Sequence, residues 1–237
     1  MKRSAILLTV ILCITTVLSA QDAFGSLNQL RLFGDSENLS MTMRMEIQEN
    51  SSTKERIIVL KMSHKQGADR SLVTVSSPAF LSKLAFLRIR DGKGLRQWLR
   101  TSSSVQRLAD GNRKERLFGS DFTAGDFSDL GEEILEAAFI ADSPVGMARI
   151  SARASWGHRI ISFNPEDTLV REVDYLDNAG TLIKRYRVKE TTTIGGKLYP
   201  QLATMETIGS NSSTTISLLE VDDKTIIAER YFNPGAL

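Results

Sequence analysis

After Pro144 the chain repeats one pattern: short runs of alternating apolar and polar residues, at 147–154, 169–176, 181–190, 198–208 and 214–221. Between them lie Asn164-Pro165-Glu166-Asp167, Asp177-Asn178-Ala179-Gly180, Gly195-Gly196-Lys197 and Gly209-Ser210-Asn211-Ser212, the residue types that tolerate tight turns. A period of two sends successive side chains to opposite faces of a strand. At roughly ten to fifteen residues per strand there is no space for crossover helices. The pattern therefore predicts a mainly β protein built on a single curved antiparallel sheet, and excludes a series of βαβ units.

The first half supplies more of the same with one helix in front. Residues 22–33 place Phe24, Leu27, Leu30 and Phe33 three apart and are followed by Gly34, which predicts a short amphipathic helix with a glycine stop. From Leu39 the period changes to two. Met41, Met43, Met45 and Ile47 alternate with Thr42, Arg44, Glu46 and Gln48, so three thioethers share one face of a strand. Residues 55–62 form its hairpin partner, followed by strands at 71–75, 84–90, 95–100 and 103–108, with Asp91-Gly92-Lys93-Gly94 as one connecting turn. Residues 109–127 read as loop, and 127–140 fit either a helix or a strand.

Lys2 and Arg3, the apolar stretch 5–18 and Ser19-Ala20 have the layout of a secretory leader, residues 1–20, cleaved before Gln21. Its apolar stretch is shorter than the roughly 20 residues that span a bilayer, and Val10-Ile11-Leu12 before Cys13 does not resemble a lipid-attachment signal. Cleavage removes the single cysteine, so an exported domain spanning 21–237 holds together by apolar burial without disulfides. The chain's 30 Lys and Arg exceed its 28 Asp and Glu by the two cations of the leader, which leaves the mature protein formally neutral. No bulk attraction to nucleic acid is expected.

Signatures of catalysis are missing. His64 and His158 stand far apart, without the spacing of metal ligands. Gly119-Ser120-Asp121 lacks the Gly-x-Ser-x-Gly of a nucleophile elbow. The acidic residues Asp121, Asp126, Asp129, Glu132 and Glu133 do not follow the ligand order of a calcium loop. The expectation is a protein that is not an enzyme and takes no cofactor. The methionine strand has three readings: ordinary core, soft ligands for Cu(I), or a wall of unbranched, polarizable side chains that re-pack around a flexible apolar guest. Alternate residues lie roughly 6.5–7 Å apart on a strand, too far for three sulfurs to meet one ion unless it folds. Arg96, Trp98 and Arg100 share a face, which can grip an anionic headgroup or an acidic partner surface, or simply cover a rim tryptophan. Nine Lys and Arg against three Asp and Glu lie between Arg88 and Arg116.

The most particular stretch is 84–127. Phe86-Leu87, Trp98-Leu99 after a turn, a Ser-rich strand ending in Arg107, and Leu117-Phe118-Gly119-Ser120-Asp121-Phe122-Thr123 leading to Asp126 resemble the LolA-like periplasmic outer-membrane lipoprotein-sorting proteins. Arg100 and Thr101 follow Leu99 where that family tends to carry Tyr-Leu-Pro. The resemblance implies a half-open barrel with helices plugging its concave side, and a periplasmic carrier or chaperone that shields acyl chains of lipoproteins or lipids. It further implies a membrane exporter or outer-membrane acceptor as partner. Under that reading Met41, Met43 and Met45 line an apolar cavity, Arg96, Trp98 and Arg100 touch headgroup or partner, and Phe118, Gly119, Ser120, Asp121 and Phe122 form the family loop. The alternative is a periplasmic sensor or regulatory domain on a similar half-barrel.

Overall fold

The computed structural model describes residues 22–34, 36–65, 67–109, 114–127, 130–155 and 157–237; the leader, its cleavage site and Asp129 lie outside the described residues. Among the described residues the protein is mainly β. Thirteen strands form one antiparallel sheet: β1 (Asn38–Glu49), β2 (Ser52–Lys65), β3 (Ala68–Ser77), β4 (Ala85–Asp91), β5 (Gly94–Arg100), β6 (Val105–Leu108), β7 (Ile134–Phe139), β8 (Ala148–Ala154), β9 (Gly157–Phe163), β10 (Val170–Leu176), β11 (Leu182–Ile194), β12 (Lys197–Thr207) and β13 (Ser212–Asp222). Their order is β6-β5-β4-β3-β2-β1-β13-β12-β11-β10-β9-β8-β7. The chain steps outward from β1 to β6, leaves the sheet, re-enters at β7 on the opposite edge and steps back until β13 pairs with β1. In that order β6 and β7 are the two end strands. No helix of the described residues is long and apolar enough to cross a membrane.

The described residues divide into two compact units, one within 22–32 and 130–185, the other within 33–127 and 186–237. In the first, helix α1 covers 22–29 and buries Ala23, Leu27 and Leu30. The expected helix ran to Phe33. It stops earlier because Arg31 enters a parallel bridge with Leu169, and its carbonyl accepts a bond from Val170 N at 3.2 Å. Ala23, and not the half-buried Phe24, completes the inward face. Residues 134–139 settle as strand: β7 pairs with β8 through Ala137 opposite Ala152 and Phe139 opposite Ile150. Strand β9 was not anticipated, because the inward-facing set Arg159, Ile161 and Phe163 begins with a 3%-exposed arginine that breaks the alternation. The Arg159 guanidinium lies over the Tyr175 ring at 5.0 Å.

The second unit is organised by β1. Met41, Met43, Met45 and Ile47 are at most 2% exposed, while Arg44, Glu46 and Gln48 face solvent. Register extends this apolar row sideways: Met41 opposes Leu60, Leu60 opposes Val73, and Val73 opposes Phe86. On the other side Met45 opposes Ile216, which opposes Ala203. Each such side chain, fully buried, contributes about 1.5–3 kcal/mol. The opposite face of β3 and β4, formed by Leu72, Ala85, Leu87 and Ile89, is covered by Ile227, Phe232 and Leu237 with Trp98 packed beside them. Gly34 is required where it stands: its φ is +116°, and a Cβ there would meet Tyr199 Cε1 at 2.6 Å.

Candidate functional site

The methionine face is covered by the loop singled out in the sequence. Arg116 and Thr123 form a short antiparallel bridge, and Leu117 N donates to Phe122 O at 2.9 Å. At the tip Phe118 and Gly119 both have positive φ, 58° and 75°, a tight reversal that turns the following residues inward. Ser120 Oγ donates to Leu117 O at 2.7 Å, and Phe122 N donates to Ser120 Oγ at 3.2 Å. Asp126 caps the next turn by accepting from Thr123 N and Thr123 Oγ1 at 2.7 and 2.8 Å. This closed local bonding leaves the apolar side chains free to point at the sheet. Leu117, Phe122, Ala124 and Phe127 are each at most 5% exposed.

Their rings build the cover. Phe127 stacks on Phe33 at 5.6 Å and lies 6.4 Å from Phe86, the residue that ends the row begun by Met41. Phe122 contacts Phe127 at 6.1 Å and meets Tyr186 edge-on at 6.3 Å. Burial holds the Tyr186 hydroxyl far above its ordinary value, so it stays neutral.

Asp121 ties the loop to β12 and β13. Its carboxylate, 2% exposed, accepts from Thr207 Oγ1 at 2.7 Å, from Ser212 Oγ at 2.8 and 2.9 Å, and from Thr214 Oγ1 at 2.8 Å. Arg116 stands 3.9 Å away, and Arg56 Nε donates to Phe118 O at 3.1 Å. The family-loop residues are therefore anchor and cover, and the anchor partners Thr207, Ser212 and Thr214 were not foreseen. Nor was Met205, a fourth methionine: fully buried, it opposes Thr214, which opposes Ile47. The alternation of Ala203 and Met205 along β12 carried that signal.

At the other end of β12 a polar cluster fixes Tyr199. Its hydroxyl donates to Asp223 at 3.1 Å, and Lys197 Nζ lies 2.9 Å from Asp223 and donates to Ser36 Oγ at 3.1 Å. Burial raises the Tyr199 hydroxyl above its ordinary value, and the bond from Lys197 lowers the Asp223 carboxyl.

Arg96, Trp98 and Arg100 share one half-buried face of β5, opposite Ile89, Leu87 and Ala85, and Trp98 packs against the apolar cluster there. Arg96 is held by Asp91 and its guanidinium sits 6.0 Å from the half-buried Trp98 ring. Arg107 is the cross-strand neighbour of Trp98.

The two histidines sit on separate strands pairs. His64 Nδ1 lies 2.7 Å from Asp69, and His158 Nε2 lies 2.8 Å from Ser151 Oγ. The Ser151–His158 pair lies across β8 and β9, whose backbones are paired in the sheet ladder. Among the described residues no group of three or more His, Cys, Asp and Glu side chains lies together. In the first unit a cleft of about 280 Å³ lies beside α1, lined by Leu30, Phe139, Ala148, Phe163 and Pro165 with Ser26, Gln29 and Thr168.

With this geometry in hand, the chain is similar in structure to a DUF1329 family protein from Desulfovibrio piger (TM-score 0.81, 15% identity, 92% of this chain and 99% of that one). It is similar to an outer membrane lipoprotein-sorting protein domain from Vibrio parahaemolyticus (TM-score 0.80, 17% identity, 91% and 97%). It is also similar to a LolA superfamily protein from Nitrosomonas europaea (TM-score 0.70, 13% identity, 92% and 99%). No curated protein matches it in sequence. A family model described as "Uncharacterized protein" matches residues 67–237, which takes in the Leu117–Phe127 loop and strands β3 to β13. The protein belongs to that family, and its fold is the one shared with LolA-like lipoprotein-sorting domains.

Proposed function

We propose that the protein is a periplasmic carrier that shields acyl chains of lipids or lipoproteins in water. The observation that carries this reading is the methionine face: Met41, Met43 and Met45 on β1 and Met205 two strands away on β12 are at most 2% exposed, and the Phe122, Phe127 and Phe33 rings pack with Phe86 of the same apolar face. Acyl chains would reach that face by taking the place of Phe122 and Phe127. Unbranched thioethers re-pack around a guest of variable shape at low cost, and each methylene withdrawn from water is worth about 0.8 kcal/mol.

In this reading residues 1–20 direct export and 21–237 form the mature carrier. Arg96, Trp98 and Arg100 meet a headgroup or an acidic surface on a membrane exporter or outer-membrane acceptor. No step of the cycle needs a catalytic group. The likeness of fold to a lipoprotein-sorting domain supports the reading, and the site supplies its chemistry.

Titration with a fluorescent fatty acid tests it. Saturable binding that unlabelled phospholipid or lipoprotein displaces is expected, together with lipid co-purifying from the periplasm. Absence of both overturns the carrier.

A further inference from the structure

Three polar side chains interrupt the apolar face in a single row across neighbouring strands. Ser71 on β3 opposes Arg88 on β4, which opposes Gln97 on β5, and the row is flanked by Met62 and Leu108. One row along run Leu60, Val73 and Phe86. Residues two apart on a strand point the same way, so Arg88 shares the face of Phe86 and lies opposite the cluster of Leu72, Leu87 and Ile89. All three are withdrawn from solvent: Ser71 is 1% exposed, Arg88 2% and Gln97 2%. The Phe127 ring lies 6.4 Å from Phe86, so a guest that takes its place arrives beside this row.

Burying such groups opposes folding unless their hydrogen bonds are made. Two of them are not. Among the described residues Ser71 Oγ and Gln97 Oε1 have no hydrogen-bond partner. A row kept only for the strength of the sheet would carry apolar side chains, as Leu60, Val73 and Phe86 do beside it. At one side the row offers a hydroxyl and a guanidinium, which can donate, and at the other a carboxamide oxygen, which can only accept. Neighbouring strands lie about 4.8 Å apart, so Ser71 and Gln97 stand on strands roughly 10 Å apart with Arg88 between them. An apolar chain satisfies neither end. A carboxylate, a phosphate or an ester brings acceptors alone and leaves Gln97 Oε1 unmatched. A secondary amide points its C=O and its N–H in opposite directions, and brings one partner to each end.

We infer that Ser71, Arg88 and Gln97 form a slot for the amide that joins an acyl chain to an amine. The amide oxygen accepts from Ser71 Oγ and Arg88, and the amide N–H donates to Gln97 Oε1, while the chain continues along the row of Phe86 and Val73. The slot rests on the carrier reading and narrows it, because it selects N-acyl groups over the ester-linked chains of a glycerophospholipid.

The test uses the whole mature protein and two ligands that differ only in their linkage, N-methyldodecanamide and methyl dodecanoate, each displacing a fluorescent fatty acid. Transfer out of water by itself favours the ester, whose linkage is less strongly hydrated. Wild type should nevertheless bind the amide about tenfold more tightly. Gln97→Met should remove that preference and leave affinity for the ester within about twofold. Ser71→Ala should reduce the preference without lowering the melting temperature, since its hydroxyl makes no bond to other described residues. Ester bound as tightly as amide by wild type, or a preference undiminished in Ser71→Ala or in folded Gln97→Met, overturns the slot and leaves the carrier standing. Dodecanoate bound more tightly than the amide makes the row a carboxylate site and overturns the amide assignment. If wild type binds none of these ligands, the fluorescent fatty acid included, the carrier reading falls and the slot falls with it.

Discussion

Asp121 and Thr214 are bonded twice through one hydroxyl: Thr214 Oγ1 donates to the Asp121 carboxylate at 2.8 Å and accepts from Asp121 N at 2.9 Å. Thr214 is fully buried and sits on β13 between Ile47 and Met205, so this pair joins the loop to the Ile47 end of the apolar face. Asp121→Ala would leave three hydroxyls without their acceptor, that of Thr214 fully buried and those of Thr207 and Ser212 half-buried. It should cost about 3 kcal/mol, since donors to a charged group contribute roughly 1.5–3 kcal/mol and stranded ones are penalised. Thr214→Val, which keeps shape and leaves two donors on the carboxylate, should cost about 1–2 kcal/mol. Urea unfolding of the two variants and their double mutant checks both figures; a sum of the single effects in the double mutant would show that the pair is not coupled.

A second prediction contrasts two glycines. At Gly34 positive φ and the Tyr199 ring both oppose a side chain, whereas at Gly92 φ is ordinary and nothing lies within 4 Å. Gly34→Ala should lower stability by about 2 kcal/mol or more, and Gly92→Ala should change it by less than about 0.5 kcal/mol. Thermal melts decide, and equal effects would remove the argument from close packing.

The strands of the sheet were legible because alternation and turn composition agree nearly everywhere, and the LFGSDF loop was legible as special. The role of that loop was not. Sequence marks Ser120 and Asp121 as polar, hence as solvated, and only the fold places both under 3% exposure, Ser120 on the Leu117 carbonyl and Asp121 against hydroxyls from residues 207–214. Local pattern cannot report a hydrogen bond across roughly ninety residues of chain. Strand β9 was missed for a related reason: Arg159 is buried on the inward face, so an apolar rule skips it. Helix α1 was overextended because Leu30 and Phe33 are buried in register with a helix, although the chain there is already bridging to Leu169.

Acidification should weaken the protein in part through His158. Burial, and next the nearby Arg153 charge, depress its pKa below the ordinary 6.5. A depressed histidine favours the neutral form in the folded state, so the unfolded state binds the proton first. Its contribution is complete above pH 6.5 and is lost as the pH falls through the lower folded value. His158→Gln should therefore flatten the fall in melting temperature between pH 7 and pH 5 relative to wild type. Parallel profiles for the two proteins would rule the histidine out.

The basic face of β5 makes a separate prediction. Arg96 is engaged by Asp91 and Arg100 is half-buried at the strand end, so reversing both to Glu should leave the fold intact and remove a contact to anionic ligand. Association with anionic lipid or an acidic partner should fall about tenfold at low salt, and the difference from wild type should shrink as salt rises. A folded double variant with unaltered binding would leave these arginines as solvated strand surface around Trp98.

The methionine face is where the carrier reading can be broken most directly. Met43 is 2% exposed and opposes Ile58 on one side and Leu218 on the other, so its side chain points into the apolar row. Met43→Leu keeps the volume and should change stability by less than about 1.5 kcal/mol while fatty-acid affinity stays within a few fold. Met43→Lys brings an ammonium to the same spot and should cut affinity at least tenfold, more than it reduces far-UV signal at low temperature. Thr42→Lys, on the opposite face of the same strand, should leave affinity unchanged. If the sulfurs serve Cu(I) instead, the pattern inverts: Met43→Leu loses stoichiometric metal binding, and fatty acid neither binds nor competes. Should Met43→Leu leave metal binding unmeasurable in both proteins while fatty acid fails to bind wild type, the row is ordinary core and the carrier has no site.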